Sequence, residues 1–325
     1  MQAFVTCPYG SSELGQLQEI DRPAPAADEV LVRVRATSIN PYDWHHLTGE
    51  PRIARSMPGG LGLRHPRYRV LGCDMAGTVE AVGVGVSRFR PGDDVFALLS
   101  HGGFAEYVTV REDMLAAKPD SLSYEEAAAV PMAAITALLA LRDKVEPGQR
   151  VLVNGASGGV GTFAVQIARA FGAHVVGVCG KRNIDLVRSI GADDVVDYRS
   201  EDFTRQERQY DLLLDIAGGR SLAACRKALA PKGTFVVVGG PAGRWLQPAW
   251  HAFGVLLTAP LLGRRAVLAD TVHHGKQQDL VTLTELIEAG KVTPVIDRCY
   301  PFDEIPAAIE YQEAGHASGK VVVTV

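Results

Sequence analysis

Cysteine is scarce and scattered. The five in this 325-residue chain (Cys7, Cys73, Cys179, Cys225, Cys299) form no CxxC pair and no even framework. That excludes a disulfide-stapled scaffold and fits the reducing cytoplasm, where such residues serve as small hydrophobes. Long apolar runs are also missing. The longest, residues 127–141, is broken by Pro131 and falls short of the ~20 residues a bilayer span needs, so it reads as a buried helix. The opening Met1-Gln2-Ala3-Phe4-Val5 lacks the basic stretch and apolar core of a secretory leader. Neither sign of charge dominates: 33 Lys and Arg against 37 Asp and Glu leave a net charge of −4, which gives no electrostatic footprint for nucleic acid or an anionic membrane.

What is present is an enzyme-like composition, 47% hydrophobic and 22% charged, in a chain longer than one core usually supports, so two domains are expected. In residues 29–36, Val30, Val32, Val34 and Ala36 alternate with polar positions such as Arg33 and Arg35, the period-2 pattern of a half-buried strand. Short strands over 70–82, 94–99 and 104–110, with a Pro91-Gly92-Asp93 turn, continue a small β-rich domain. Residues 50–69 have six Pro and Gly positions without periodicity (Pro51, Pro58, Gly59, Gly60, Gly62, Pro66) and read as a long surface loop, the kind that lines substrate entrances. Ser123 with Glu126 forms a capping box opening the apolar helix.

From Arg150 the texture changes to alternation: strand 151–153, glycine turn, helix 160–171, strand 174–178, helix 184–190, strand 194–197, strand 211–216, helix 221–229, strand 234–238. Such βα repeats make a doubly wound α/β fold, a parallel sheet with helices on both faces. Beyond it, an apolar stretch with Trp245, Trp250 and Phe253 covers a pocket or an interface, and a helix follows over 280–289. The strand-like tail 320–325, paired with the first domain, makes that domain discontinuous. The expected division is residues 1–122 with 297–325 for the β-rich catalytic domain and 123–296 for the nucleotide-binding domain.

The segment from Val151 to Gly161, with Gly155, Ser157, Gly158, Gly159 and Val160 at its turn, places clustered glycines between a strand and a helix. A dinucleotide pyrophosphate needs that context: a tight turn, close backbone approach and a helix N-terminus. The spacing carries one residue more than GxGxxG, and the competing reading is a purely structural turn. NAD-specific folds put a carboxylate at the end of the second strand for the ribose 2′-hydroxyl. Here that place holds Cys179, followed by Gly180, Lys181 and Arg182. Adjacent cations attract a 2′-phosphate, so NADPH is favoured over NADH; alternatively the pair is a solvated helix start. Gly239 and Gly240 close the fifth strand at the carboxyl edge of the sheet, where ligands bind. Thr136 is a further contact candidate or an ordinary helix hydroxyl.

The chain as a whole resembles the medium-chain dehydrogenase/reductase superfamily, and within it the quinone oxidoreductases related to zeta-crystallin. The matching pieces are Ser38-Ile39-Asn40-Pro41-Tyr42-Asp43, Leu71-Gly72-Cys73-Asp74-Met75-Ala76-Gly77, Pro91-Gly92-Asp93-Asp94-Val95, Gly102-Gly103-Phe104-Ala105-Glu106-Tyr107, the glycine turn and Gly319-Lys320-Val321-Val322-Val323. The resemblance implies a Rossmann domain beside a GroES-like β-rich catalytic domain, and a homodimer. It places Asn40 and Asp43 near the nicotinamide, Tyr198 and Lys181 near the 2′-phosphate, and Lys320 as a further candidate for a cofactor phosphate. The zinc alcohol dehydrogenases of the superfamily use Cys, His and Cys as catalytic ligands, at positions matched here by Asn40, Cys73 and Met132. An amide and a thioether do not make that site, and the clustered cysteines of the structural zinc are missing. The adjacent pairs His45-His46 and His273-His274 read as solvent or interface histidines, so no metal is expected.

Without a Lewis acid, hydride delivery to an already electrophilic quinone or α,β-unsaturated carbonyl is the accessible chemistry. Asn40 is then expected to orient the carbonyl and Tyr42, or water, to supply the proton. Two other functions fit the same chain. One is an enoyl-thioester reductase whose loop arginines (Arg52, Arg55, Arg64, Arg67, Arg69) hold an acidic carrier; the other is a non-catalytic NADPH-binding regulator.

Overall fold

The computed structural model describes residues 1–6, 8–11, 15–57, 60–206, 209–239, 265–268 and 276–325. The stretch with Trp245, Trp250 and Phe253, the pair His273-His274, Cys7 and Gly240 lie outside the described residues. Two compact units divide the chain: Met1–Met132 with Gly275–Glu288 and Pro294–Val325, and Ala133–His274 with Ala289–Thr293.

The first unit is built on the long strand Glu29–Ile39, whose alternating side chains bury Val30, Val32, Val34 and Ala36. It pairs antiparallel with Asp74–Val82, Tyr107–Arg111 and Lys320–Thr324. The C-terminal tail therefore belongs to the first unit, as its strand-like pattern predicted. Ile296–Pro301 adds in parallel at one end of the sheet, and Asp94–Leu98 with Leu115–Ala117 at the other. The irregularity of residues 50–69 hides one ordered piece, the 3-10 turn Arg52–Ser56. Just before it lies the helix Pro41–Thr48, which sequence periodicity missed because it is short and mixed in polarity.

The second unit holds six parallel strands in the order Asp194–Asp197, His174–Cys179, Arg150–Asn154, Tyr210–Asp215, Leu229–Val237, Arg265–Leu268. Numbered along the chain this is 3-2-1-4-5-6, the Rossmann order, in which the winding reverses between the first and fourth strands and ligands bind at the carboxyl ends there. Asn154 and Asp215 end those two strands, and the Asn154 amide donates to Asp215 Oδ1 at 2.7 Å and to the Gly218 carbonyl at 3.1 Å. The predicted apolar helix is observed as two, Tyr124–Ala128 and Pro131–Leu141, since Pro131 has no N–H to continue the ladder. Ser123 and Glu126 cap each other reciprocally.

The helix Gly159–Ala170 seats against the glycine turn so closely that a Cβ on Gly161 would lie 2.0 Å from the Gly155 carbonyl oxygen. Backbone cannot retreat as a flexible side chain can. Gly161→Ala is expected to lower stability to urea by at least about 1–3 kcal/mol, the usual range for overpacking; an unchanged unfolding midpoint would contradict the packing account.

Candidate active site

In the second unit, the chain leaves strand Arg150–Asn154 through Gly155 at φ 96°, a backbone setting that costs a side-chain-bearing residue strain. Gly155 and Ala156 both donate to the Val178 carbonyl, at 3.1 and 3.0 Å, which pins the turn to the neighbouring strand. Ser157, Gly158, Gly159 and Val160 remain half-exposed. The first-turn N–H groups of the following helix have no intrahelical acceptor and stand at the positive end of its dipole. Gly158 separates ligand from packing: a Cβ there would meet nothing closer than the Gly155 oxygen at 3.7 Å. Protein packing thus demands glycine at 161 and leaves open space at 158, the side from which a pyrophosphate would approach.

At the edge of the same sheet, Cys179 ends strand His174–Cys179 and is buried, its thiol pushed up to about 11 by desolvation and then by Asp197. Its carbonyl accepts from Tyr198 N at 3.2 Å. Tyr198 is 51% exposed, and its ring passes so near Gly180 that a Cβ there would sit 3.4 Å from it. Lys181 and Arg182 are exposed on the intervening 3-10 turn Lys181–Asn183. Cys179, Lys181, Arg182 and Tyr198 are therefore neighbours. Sequence reading missed Arg199, whose guanidinium lies 5.9 Å from the Tyr198 ring centre, although its place beside Tyr198 was a usable signal. Gly239 has a reason other than a ligand: a Cβ there would lie 2.5 Å from the Ile216 oxygen. Thr136 is buried at 4% exposure in helix Pro131–Leu141.

In the first unit, the Ser38–Asp43 segment meets Gly72–Asp74 and Lys320 in one buried polar cluster. Asp74 is wholly buried and Asn40 and Lys320 are each 3% exposed. The Asp74 carboxylate accepts from Ser38 Oγ at 2.5 Å, Asn40 Nδ2 at 2.9 Å, the Met132 N–H at 2.8 Å and Lys320 Nζ at 3.3 Å. Lys320 Nζ also donates to Asn40 Oδ1 at 2.5 Å and reaches the Ile39 carbonyl at 3.5 Å. The Asn40 amide further donates to the Ser38 carbonyl and to Cys73 Sγ, at 3.2 and 3.3 Å. Two expectations are corrected here. Lys320 is not a phosphate ligand, because its ammonium is consumed inside this cluster. Asn40 does not present its amide to a carbonyl, because both ends of the amide are already bonded.

Asp43 is buried too, and its carboxylate accepts from Asn40 N at 2.8 Å and Gly72 N at 3.1 Å, so it fastens the helix start to the Gly72 loop. Tyr42 is half-buried, with its hydroxyl donating to the Ser100 carbonyl at 3.3 Å. Burial, with Cys73, Tyr68 and Asp43 nearby, pushes the phenol well up, which keeps it protonated as a hydrogen-bond donor. The histidine expected at the surface, His46, is 4% exposed; burial lowers its pKa, and its ring lies 4.2 Å from that of Tyr42. Tyr68 extends the row at 5.9 Å from His46, and His101 stacks on Tyr68 at 4.0 Å. No sequence spacing announces this row, since its members come from three separate segments.

Desolvation dominates the Asp43 carboxyl and raises it from 3.8 to about 7, against two backbone donors and Lys320 that pull it down. A raised folded-state value means that the stability of the protonated form is complete below the unfolded pKa and is lost as pH rises through about 7. Unfolding midpoints of the wild type are expected to fall over that interval more than those of Asp43→Asn; parallel pH profiles for the two would refute it.

Comparison with known proteins follows this geometry. Residues 26–120 match the family described as alcohol dehydrogenase GroES-like domain, and residues 190–323 that described as zinc-binding dehydrogenase. The chain is 35% identical to the mitochondrial NAD(P)H oxidoreductase RTN4IP1 of Homo sapiens, covering 100% of this chain and 89% of that protein. It is 32% identical to the chloroplast envelope quinone oxidoreductase homolog of Arabidopsis thaliana, over 99% and 98%. The solved quinone oxidoreductase of Coxiella burnetii superposes with a TM-score of 0.86 at 29% identity, over 100% and 99% of the two chains. The Rossmann strand order, the glycine turn and full-length kinship together mean that this chain belongs to the medium-chain dehydrogenase/reductase superfamily of oxidoreductases, in its quinone oxidoreductase branch.

Proposed function

We propose that the protein is an NADPH-dependent reductase that transfers hydride to quinones or α,β-unsaturated carbonyls without a catalytic metal. The observation that carries the cofactor choice is the exposed basic turn of Lys181 and Arg182 beside Tyr198, where NAD-specific folds place an acid. Gly158 and the N–H groups of Ser157 to Val160 hold the pyrophosphate, while Lys181, Arg182 and Tyr198 bind the 2′-phosphate by charge-assisted hydrogen bonds. When bound, NADPH supplies the hydride. Gly240 and Thr136 stay in this reading as further contacts.

The donors near Cys73 do not fit a zinc ion. Burial raises the Cys73 thiol well above its ordinary value, the Asn40 amide is saturated, and an ammonium occupies the cluster. Among the described residues no group of three or more His, Cys, Asp or Glu is placed to hold a metal. The acceptor must therefore bring its own electrophilicity, as quinones and enones do. Tyr42 donates a hydrogen bond to the acceptor oxygen, and Tyr42 or water supplies the proton. Asn40 and Asp43 act by holding Tyr42 in place. A homodimer, a cytoplasmic location and the division into residues 1–122 with 297–325 and 123–296 complete the proposal. No helix among the described residues is long and apolar enough to cross a membrane.

The test is consumption of NADPH and, in parallel, NADH by metal-stripped protein offered a panel of quinones and enones. Turnover with NADPH preferred is expected; binding of NADPH without turnover on any acceptor would favour the non-catalytic regulator. Lys181→Glu is expected to weaken NADPH binding roughly 10- to 100-fold, as loss of a charge-assisted bond implies, with NADH binding unaltered. For Tyr42→Phe, kcat is expected to fall about 100-fold, the low end for an oxyanion donor because the hydroxyl is shared with Ser100. Full activity in that variant would remove Tyr42 from the scheme.

A further inference from the structure

Lys320 belongs to the last strand, yet its side chain ends inside the segment that carries the proposed acceptor-binding groups. Each of its three ammonium protons has an acceptor in the first unit: Asn40 Oδ1, Asp74 Oδ2 and the Ile39 carbonyl. Asp74 answers with four donors, from Ser38, Asn40, Met132 and Lys320. Between the two lies the Asn40 amide, its oxygen accepting a hydrogen bond from the ammonium and its two N–H groups donating among the carboxylate, the Ser38 carbonyl and Cys73 Sγ. An amide bonded at both ends cannot rotate without breaking several bonds at once in a place that water does not reach. Asn40 immediately precedes helix Pro41–Thr48, and its backbone N–H is held by Asp43. The chain of contacts therefore runs from the C-terminal strand through one amide to the first turn of the helix, where Tyr42 resides.

We propose that Lys320 and Asp74 are positioning residues for the reduction: their buried ion pair clamps the Asn40 amide, and the clamp fixes the start of helix Pro41–Thr48 and with it the Tyr42 hydroxyl. The ion pair is not a binding site for substrate or cofactor, since every polar atom of it faces protein. The turnover part of the inference rests on the proposed function; the clamp itself does not.

Removing one charge leaves the other buried and uncompensated, so Lys320→Met alone destabilises the fold for reasons unrelated to positioning. The decisive variant is the double Lys320→Met, Asp74→Asn, which removes both charges and leaves an acceptor at position 74. It is expected to unfold near the wild-type midpoint and to bind NADPH with unchanged affinity, while kcat drops at least ~10-fold through misplacement of Tyr42. Amide hydrogen exchange over residues 40–48 is expected to quicken by a similar factor. Asn40→Ala, which keeps the ion pair and removes only the clamped amide, is expected to reproduce both changes and serves if the double variant does not fold. Wild-type kcat and wild-type exchange in either folded variant would overturn the clamp and leave the pair a structural ornament. If the wild type itself reduces no quinone or enone, the proposed function fails, and exchange over residues 40–48 alone decides the clamp: faster supports it, unchanged overturns it.

Discussion

A carboxylate shut away from water must be surrounded by donors, and Asp74 is the group around which the first unit is arranged. It is wholly buried in strand Asp74–Val82, beside Cys73 and Met75, which are as inaccessible as itself. Left alone it would cost several kcal/mol. Its donors come from strand Glu29–Ile39, from the residue after it, from the N-terminal turn of helix Pro131–Leu141 and from the last strand. Segments 34 to 246 residues away are drawn to one carboxylate. The same requirement explains why the final strand pairs with Glu29–Ile39 in the register it has, with Val321 opposite Ile39: this register sets Lys320 beside Asn40.

The second unit obeys a constraint of space rather than charge. The helix after the glycine turn approaches the turn until backbone touches backbone, at Gly161 against Gly155. That approach brings the positive end of the helix to the carboxyl edge of the sheet. Asn154 and Asp215 then tie the two strands on either side of the reversal in strand order. Two glycines in one motif thus do different work, one making room for the protein itself and the other leaving room beside it.

Much of this was readable in the sequence. The strand over 194–197 and the helix following the glycine turn were given by apolar period and flanking glycines, because those signals are local and repeat in every βα unit. The glycine turn, the basic Lys181-Arg182 step and Tyr198 are singled out for the same reason: each sits at a fixed offset from a strand end. The buried partners of Asn40 and Lys320 and the packing of Gly239 against Ile216 were not legible there, and all three have one origin. A motif states which residue is present, and only burial and bonded partners state whether its polar atoms or its open side remain available to a ligand.

Composition, periodicity and motif order by themselves determined the two-part architecture, the parallel sheet, the glycine turn between strand and helix and the kinship, since these follow from patterns a few residues to a few tens of residues long. Tertiary structure alone decided that Lys320 closes on Asn40 and Asp74, that Gly239 is required by Ile216, and that Tyr42, His46, Tyr68 and His101 form one row of rings. Apart from Tyr42 and His46, one turn apart on the same helix, those pairings join residues far apart along the chain, and no local preference encodes them. They arise because folding must satisfy every buried charge and fill every gap with whatever segment the topology brings near.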